Sequence, residues 1–329
     1  SIPLQEKYNL YRLSSTRLLA QNKNRNNTKK AILYGGLQYD ADSVSLIKEH
    51  LKYATRSYSP NLDTIVIDSL TLRGGVSYLP ATLTEIKNIH ASMQQINIQS
   101  ELYSELQGTE ESFKSLSGKQ IDILHIATHG FYVNQKRSSE SPHTSINKGM
   151  SKESSTLKRS GSLMSGANIA LKKGANLKDV EDGILTAQEI STLDLRGLEL
   201  AVLSACQTGI GDIAGDGVFG LQRGFKKAGA NTLLMSLWKV DDNATHLLMT
   251  EFYKNLLAGE SKFESLRKAQ KYVRDYEEEI EITPNKRWES QIRQKMNKSK
   301  EPAPQKIKKI KRYASPYYWA AFILLDAID

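Results

Sequence analysis

The sequence predicts an α/β fold, a mostly parallel central sheet with helices on both faces. Two observations carry that prediction. Six short apolar runs rich in β-forming residues, each bounded by polar residues or glycine, read as strands buried on both faces. Amphipathic stretches of helical length lie between several of them, and strands that alternate with helices build parallel sheets joined by crossovers.

In chain order, the strand signals are AILY (31–34), DTIVI (63–67), IDILHIA (121–127), ELAVLSA (199–205), ANTLLMSL (230–237) and WAAFILL (319–325). Helical periodicity covers 82–96, 108–118, 216–229 and one long stretch at 243–276. Thr109, followed by Glu110 and Glu111, supplies a capped and acidic start to the second of these helices, and Asn243 is expected to cap the long one. Gly229 is placed where a helix end needs positive φ, and the chain turns there directly into the next strand.

Composition bounds the class. Of 329 residues 39% are hydrophobic and 25% charged, ordinary for a globular protein, and no run approaches the ~20 apolar residues of a membrane span. A single domain over 1–329 is expected, with two insertions. Residues 138–166 hold ten serines and few large apolar groups, which predicts an inserted flexible loop. Residues 285–312 carry eleven Lys/Arg and two Glu, so this one tract accounts for the whole net charge of +9. A basic tract without clustered arginines or interleaved aromatics reads as a solvated surface segment, and direct nucleic-acid binding is disfavoured. The start at Ser1 without Met points to a piece excised from a longer chain, with no secretory signal in view. One cysteine cannot form an internal disulfide, and a reducing cytoplasm is the expected setting.

That cysteine, Cys206, follows the strand ELAVLSA and opens a loop with Gly209, Gly211 and Gly215. His129 follows the strand IDILHIA and is succeeded by Gly130. Open α/β sheets place their sites at the carboxyl ends of strands. Two neighbouring parallel strands would therefore put this thiol and this imidazole on one rim. A thiolate is the nucleophile and an imidazole can accept its proton, while the amides of Gly130 and Cys206 can form an oxyanion hole, each donor worth ~3 kcal/mol. A metal shared by His125 and His129 is excluded, since four residues of strand span ~13 Å. No metal and no cofactor are expected. GIGDIA (209–214) matches a dinucleotide fingerprint, but Cys, Gln and Thr separate it from the strand and the acidic residue follows too late. A thiol phosphatase lacks its phosphate-clamping arginine in CQTGIGDI.

The blocks DILHIATHGFY, EDGILTAQEISTLDLRGLELAVLSACQTG through NLLAG, and SPYYWAAFILL together resemble the CHAT domain, a caspase-like, separase-related cysteine protease domain found with tetratricopeptide repeats. The likeness extends to NLYRLSSTRLLA near the start. It implies a caspase–hemoglobinase-like fold, His129 as general base and Cys206 as nucleophile. In separase-like relatives acidic residues after the LW strand line the S1 pocket, which here implies Asp241 and Asp242 and a basic P1 residue, with Trp238 beside them and Asp216 as a further acidic candidate. Asp241 and Asp242 have a plainer reading as helix-cap residues. Self-cleavage in the serine-rich loop at Lys158 or Arg159 would then be a switch. The resemblance further implies a protein substrate, control by an upstream repeat region or activating partner, and a role in bacterial stress or antiphage defence. Ser315 stands where the family often has His. A catalytically idle protein- or nucleic-acid-interaction domain is the alternative.

Overall fold

The structure, a computed structural model, describes residues 8–20, 28–53, 74–132, 157–173, 180–204, 216–238, 240–282 and 306–328. The strands are Lys30–Leu37 (β1), Gln99–Glu105 (β2), Ile123–Ile126 (β3), Gly130–Tyr132 (β4), Ser160–Leu163 (β5), Ile184–Thr186 (β6), Leu200–Leu203 (β7), Thr232–Ser236 (β8), Glu278–Ile282 (β9), Lys306–Ile310 (β10) and Phe322–Leu325 (β11). The α-helices are Ser43–Leu51 (α1), Pro80–Gln95 (α2), Glu110–Lys114 (α3), Asn168–Lys173 (α4), Ala187–Ile190 (α5), Asp216–Ala228 (α6), Asp242–Leu257 (α7), Lys262–Asp275 (α8) and Pro316–Trp319 (α9).

Six strands make the central sheet in the order β11-β8-β7-β3-β1-β2. Every neighbouring pair is parallel except β11 with β8. The expected α/β architecture is therefore present, and the pleat explains its two cores. Ile32, Tyr34, Leu124, Ile126, Ala201, Leu203, Leu233 and Met235 face one side, where Phe113 of α3, Ile190 of α5 and Leu221 and Phe225 of α6 cover them. Their alternates Ala31, Leu33, Ile123, Leu200, Val202 and Leu234 face the other, beneath Ile86, Ile89 and Met93 of α2 and the buried stripes of α7 and α8. Burial on both faces is what made these strands readable as continuous apolar runs.

Several expectations are refined. The long helical stretch divides at residues 258–261, where Ser261 accepts from the Glu264 amide and starts α8. The cap of α7 is Asp241 rather than Asn243: its carboxylate accepts from the amides of Asn243 and Ala244. The strand expected at 63–67 lies outside the described residues. Of the segment 138–166, residues 157–166 are described, and Ser160–Leu163 is not loop but β5, buried and paired antiparallel with β4 and β6. Small residues permit this. A Cβ at Gly161 would stand 2.2 Å from Leu185 O and 2.7 Å from the Phe131 ring. Of the basic tract 285–312, Lys306–Ile310 is β10, paired antiparallel with the acidic β9, and Lys309 and Arg312 reach Glu279 and Glu278 at 3.5 and 3.1 Å.

One lysine organises the layer beside β6. Lys114 Nζ lies 2.6 Å from Glu110, 2.7 Å from Glu181 and 2.8 Å from Glu189, and Glu110 is fully enclosed. Burial, then the charge of Glu189, pushes the Glu110 carboxyl well above the usual range, and burial with the nearby charges pushes Asp182 up to about 6. Lys114→Met leaves these carboxyls without their cation and is expected to cost roughly 3–5 kcal/mol in urea unfolding at pH 7.5. A carboxyl whose folded pKa is raised opposes folding only above its unfolded pKa, so the deficit is expected to shrink as pH falls from 7.5 towards 5. A pH-independent deficit, or none, contradicts this role.

Candidate active site

The in-register pairing of β3 with β7 sets the site. Ile123 faces Leu200 and Ile126 faces Leu203 across the parallel ladder, and the Ser204 amide extends it by donating to Ile126 O at 3.0 Å. His129 stands three residues beyond Ile126, and in the sequence Cys206 stands three beyond Leu203. Cys206 itself lies outside the described residues, which reach Ser204 on that strand.

His129 is 4% exposed and held on two sides. Its Nε2 lies 2.8 Å from Ser77 O, and since a carbonyl only accepts, this nitrogen carries the proton in that bond. The Tyr39 ring stands 5.1 Å from the imidazole, fixed by a 2.8 Å hydrogen bond between its hydroxyl and Thr128 Oγ1. Burial pushes the Tyr39 phenol up to about 12, so it remains a neutral wall at physiological pH. His129 O accepts from the Leu163 amide at 2.8 Å, which makes this rung the hydrogen-bonded one. The next rung, Gly130 opposite Ser162, is then non-hydrogen-bonded, and the Gly130 amide turns away from β5.

On the other flank of β7 the strand β8 delivers Trp238, Asp241 and Asp242 to the same carboxyl edge. Trp238 is half-buried and its indole donates to Tyr317 O at 3.0 Å, an anchor to α9. Both aspartates are exposed, Asp241 as the cap of α7. Asp216 begins α6, with its backbone placed and no more described. Lys158 and Arg159 occupy the turn before β5, both half-buried. Ser315, which carried no expected role, caps α9 by accepting from the Tyr317 amide.

Beneath this rim lies a polar chain that sequence reasoning missed. Glu85 of α2 accepts from the Ser204 hydroxyl, and the same oxygen, Oε1, lies 2.9 Å from His125 Nε2 at an angle off that of an ideal hydrogen bond. His125 Nδ1 lies 3.1 Å from the Tyr253 hydroxyl of α7. All four residues are at most 4% exposed. Tyr253 is held neutral, its phenol pushed far up by burial and then by the Glu85 charge. The available signal was a carboxylate on an apolar helix face: Glu85 falls on the stripe Thr82, Ile86, Ile89 and Met93, all buried. The group of three acidic side chains near enough to share an ion among the described residues, Glu110, Glu181 and Glu189, instead closes on Lys114.

Glu85→Ala removes the acceptor for Ser204 and the charge beside His125, and is expected to lower stability by about 2–4 kcal/mol, against about 1 kcal/mol for Tyr253→Phe, in urea unfolding. Equal, small effects would mean that the network holds nothing.

Comparison with known proteins now adds to this geometry. Over 187 residues, 52% of this chain, it is 32% identical to tetratricopeptide repeat protein 28 from Mus musculus, and over 94 residues, 29% of the chain, it is 35% identical to tetratricopeptide repeat protein 28 from Homo sapiens. The matches span 7% and 4% of those much longer proteins. Residues 1–327 match the CHAT domain family. The chain belongs to the CHAT domain family, caspase-like and protease-related.

Proposed function

We propose that this domain is a cysteine endopeptidase in which Cys206 is the nucleophile and His129 the general base. The observation that carries the reading is the register. Ile126 and Leu203 are partners, and His129 and Cys206 follow them in the sequence by the same three residues. Ser204 is described, and two residues of chain reach at most about 7 Å beyond it. The hydrogen bond from His129 Nε2 to Ser77 O assigns the tautomer that leaves Nδ1 as the basic nitrogen, and the Ser77 carbonyl takes the orienting role that a carboxylate fills in other triads.

The chemistry then runs as follows. The Cys206 thiol gives its proton to His129 and its sulfur forms a bond to the scissile carbonyl carbon. The resulting oxyanion is met by the amides of Gly130 and Cys206. Collapse breaks the C–N bond, and His129 returns the proton to the departing amine. Water, deprotonated by the same imidazole, hydrolyses the thioester and restores the thiol.

Asp241 and Asp242, exposed on the same edge, favour a basic P1 side chain. Capping and substrate binding are compatible for Asp241, since the two amides of α7 use Oδ1 and a substrate cation can be met at Oδ2. Trp238 and Asp216 complete this side of the pocket in the reading. Self-cleavage at Lys158 or Arg159 requires its turn to open first, because a peptidase takes its bond in extended form. The kinship with tetratricopeptide repeat proteins supports a repeat region or activating partner as the control element, with a specific protein as substrate. The reading places the enzyme in the cytoplasm; no helix among the described residues is long and apolar enough to cross a membrane.

Fluorogenic peptides that differ only at P1 test this. Cleavage after Arg or Lys is expected in the parent and to fall by at least about 10³-fold in Cys206→Ala and in His129→Ala. Asp241→Asn with Asp242→Asn is expected to cost about 10–100-fold for Arg at P1, with little change for an uncharged residue. Cleavage that survives loss of the thiol would overturn the assignment.

A further inference from the structure

At the carboxyl ends of β1 and β2 a cleft of about 400 Å³ is lined by Gln38, Tyr39, Asp40, Val76, Tyr78 and Glu105. It adjoins the candidate base on two sides: Tyr39 packs on His129, and Tyr78 follows the residue whose carbonyl binds His129.

Its construction is unusual in two respects. The β1–β2 register shifts between Tyr34 and Leu37, a bulge that re-aims the strand end. Gly36 sits there at φ +62°, its amide donating to Thr82 Oγ1 at 2.8 Å. Glu105, on the facing strand, adopts φ +52°, a conformation that a side chain disfavours, and is held there by its carbonyl, which accepts from the Gln38 amide at 3.0 Å and Ser165 Oγ at 2.6 Å. The result is an exposed carboxylate, Glu105, at a mouth that also carries the Asp40 carboxylate and the exposed ring of Tyr78, with the buried Tyr39 behind them. Glu105 has no ion pair among the described residues. Asp40 meets Lys172 Nζ at 2.7 Å, but these side chains are 68% and 40% exposed, and such surface pairs are weak and exchange readily.

We propose that this cleft is a second substrate subsite, one that receives an arginine or lysine side chain of the protein substrate. The inference rests on the peptidase reading for the word substrate, and on the cleft itself for the charge preference. Two exposed carboxylates and an accessible aromatic ring are surroundings that a guanidinium or ammonium group prefers. The sheet order places β1 on the side of β3 away from β7 and β8, so this subsite and Asp241–Asp242 flank the candidate dyad. Three strand spacings of about 4.8 Å separate β8 from β1, about 14 Å, which an extended peptide covers in about four residues. The preferred sequence therefore carries two basic residues roughly four positions apart.

Binding of labelled peptides to the Cys206→Ala protein, read by fluorescence anisotropy, tests this without cleavage. Each peptide holds one fixed arginine, and arginine or its uncharged isostere citrulline is scanned through the positions three to five residues away on either side. One position is expected to bind arginine about tenfold more tightly than citrulline. That advantage is expected to fall below about twofold in Asp40→Asn with Glu105→Gln, and to persist in Asp275→Asn with Glu279→Gln, which removes the same charge elsewhere. No advantage at any position, or one that the cleft variant leaves intact, overturns the subsite. A parent that cleaves nothing while the charge-dependent binding holds would sink the peptidase reading and leave the subsite standing.

Discussion

The parallel pairing of β3 with β7 is the constraint on which the site depends. A one-residue slip would turn His125 and its polar chain from the second core into the first, and would misalign the two strand ends by a step. The slip is opposed from both faces. Leu124 and Ile126 with Ala201 and Leu203 are committed to one core, and Ile123 with Leu200 and Val202 to the other. The Glu85 carboxylate then joins the two strands at a polar point, since it contacts His125 of β3 and Ser204 just beyond β7. Apolar packing sets the register, and one buried carboxylate marks it at the foot of the candidate site.

From that fixed seam the candidate groups spread along one edge. To one side, β8 carries Asp241, which caps α7 and thereby places an exposed negative charge. To the other, the bulged end of β1 carries Tyr39, which walls the imidazole, and Asp40. Below it, the small sheet β4-β5-β6 braces the segment after His129: β5 takes up the His129 carbonyl through the Leu163 amide and turns the Gly130 amide outward. The cluster around Lys114 ties α3 to the segment entering β6 and to α5, so charge holds the same layer from behind.

Much of this was legible in the sequence, for a stated reason. Strands β1, β3, β7, β8 and β11 are buried on both faces and read as apolar runs, and the alternation with helices gave the parallel architecture. The polar edge strand QSELYSE was not recognised, because none of its residues is fully buried and it carries no apolar run. Strands β4 to β6 are three or four residues long, and β5 is Gly and Ser apart from one Leu, so SGSL read as loop until its pairing partners were known. EEIEI and KIKKI are too charged to read as strands singly, yet they complement each other as a pair. The cap of α7 was misplaced by two residues because Asn243 and Asp241 are both good cap residues, and only the backbone turn decides between them. Of the site, His129 and its glycine were visible from their place after a strand. Ser77, Tyr39 and Glu85 were not, since two of them act through a backbone atom or a ring face and the third is signalled only by its place on the apolar stripe of α2.

The central claim is that His129 and Cys206 form one chemical unit. It is tested most directly by the pH dependence of iodoacetamide alkylation of the folded protein, whose single cysteine makes the readout unambiguous. In the parent the thiolate is predicted to form with a midpoint well below the ordinary thiol value of about 8.5, and His129→Ala is predicted to move that midpoint up towards it. Coincident profiles for the two proteins would show that the imidazole does not reach the sulfur, and would contradict the account.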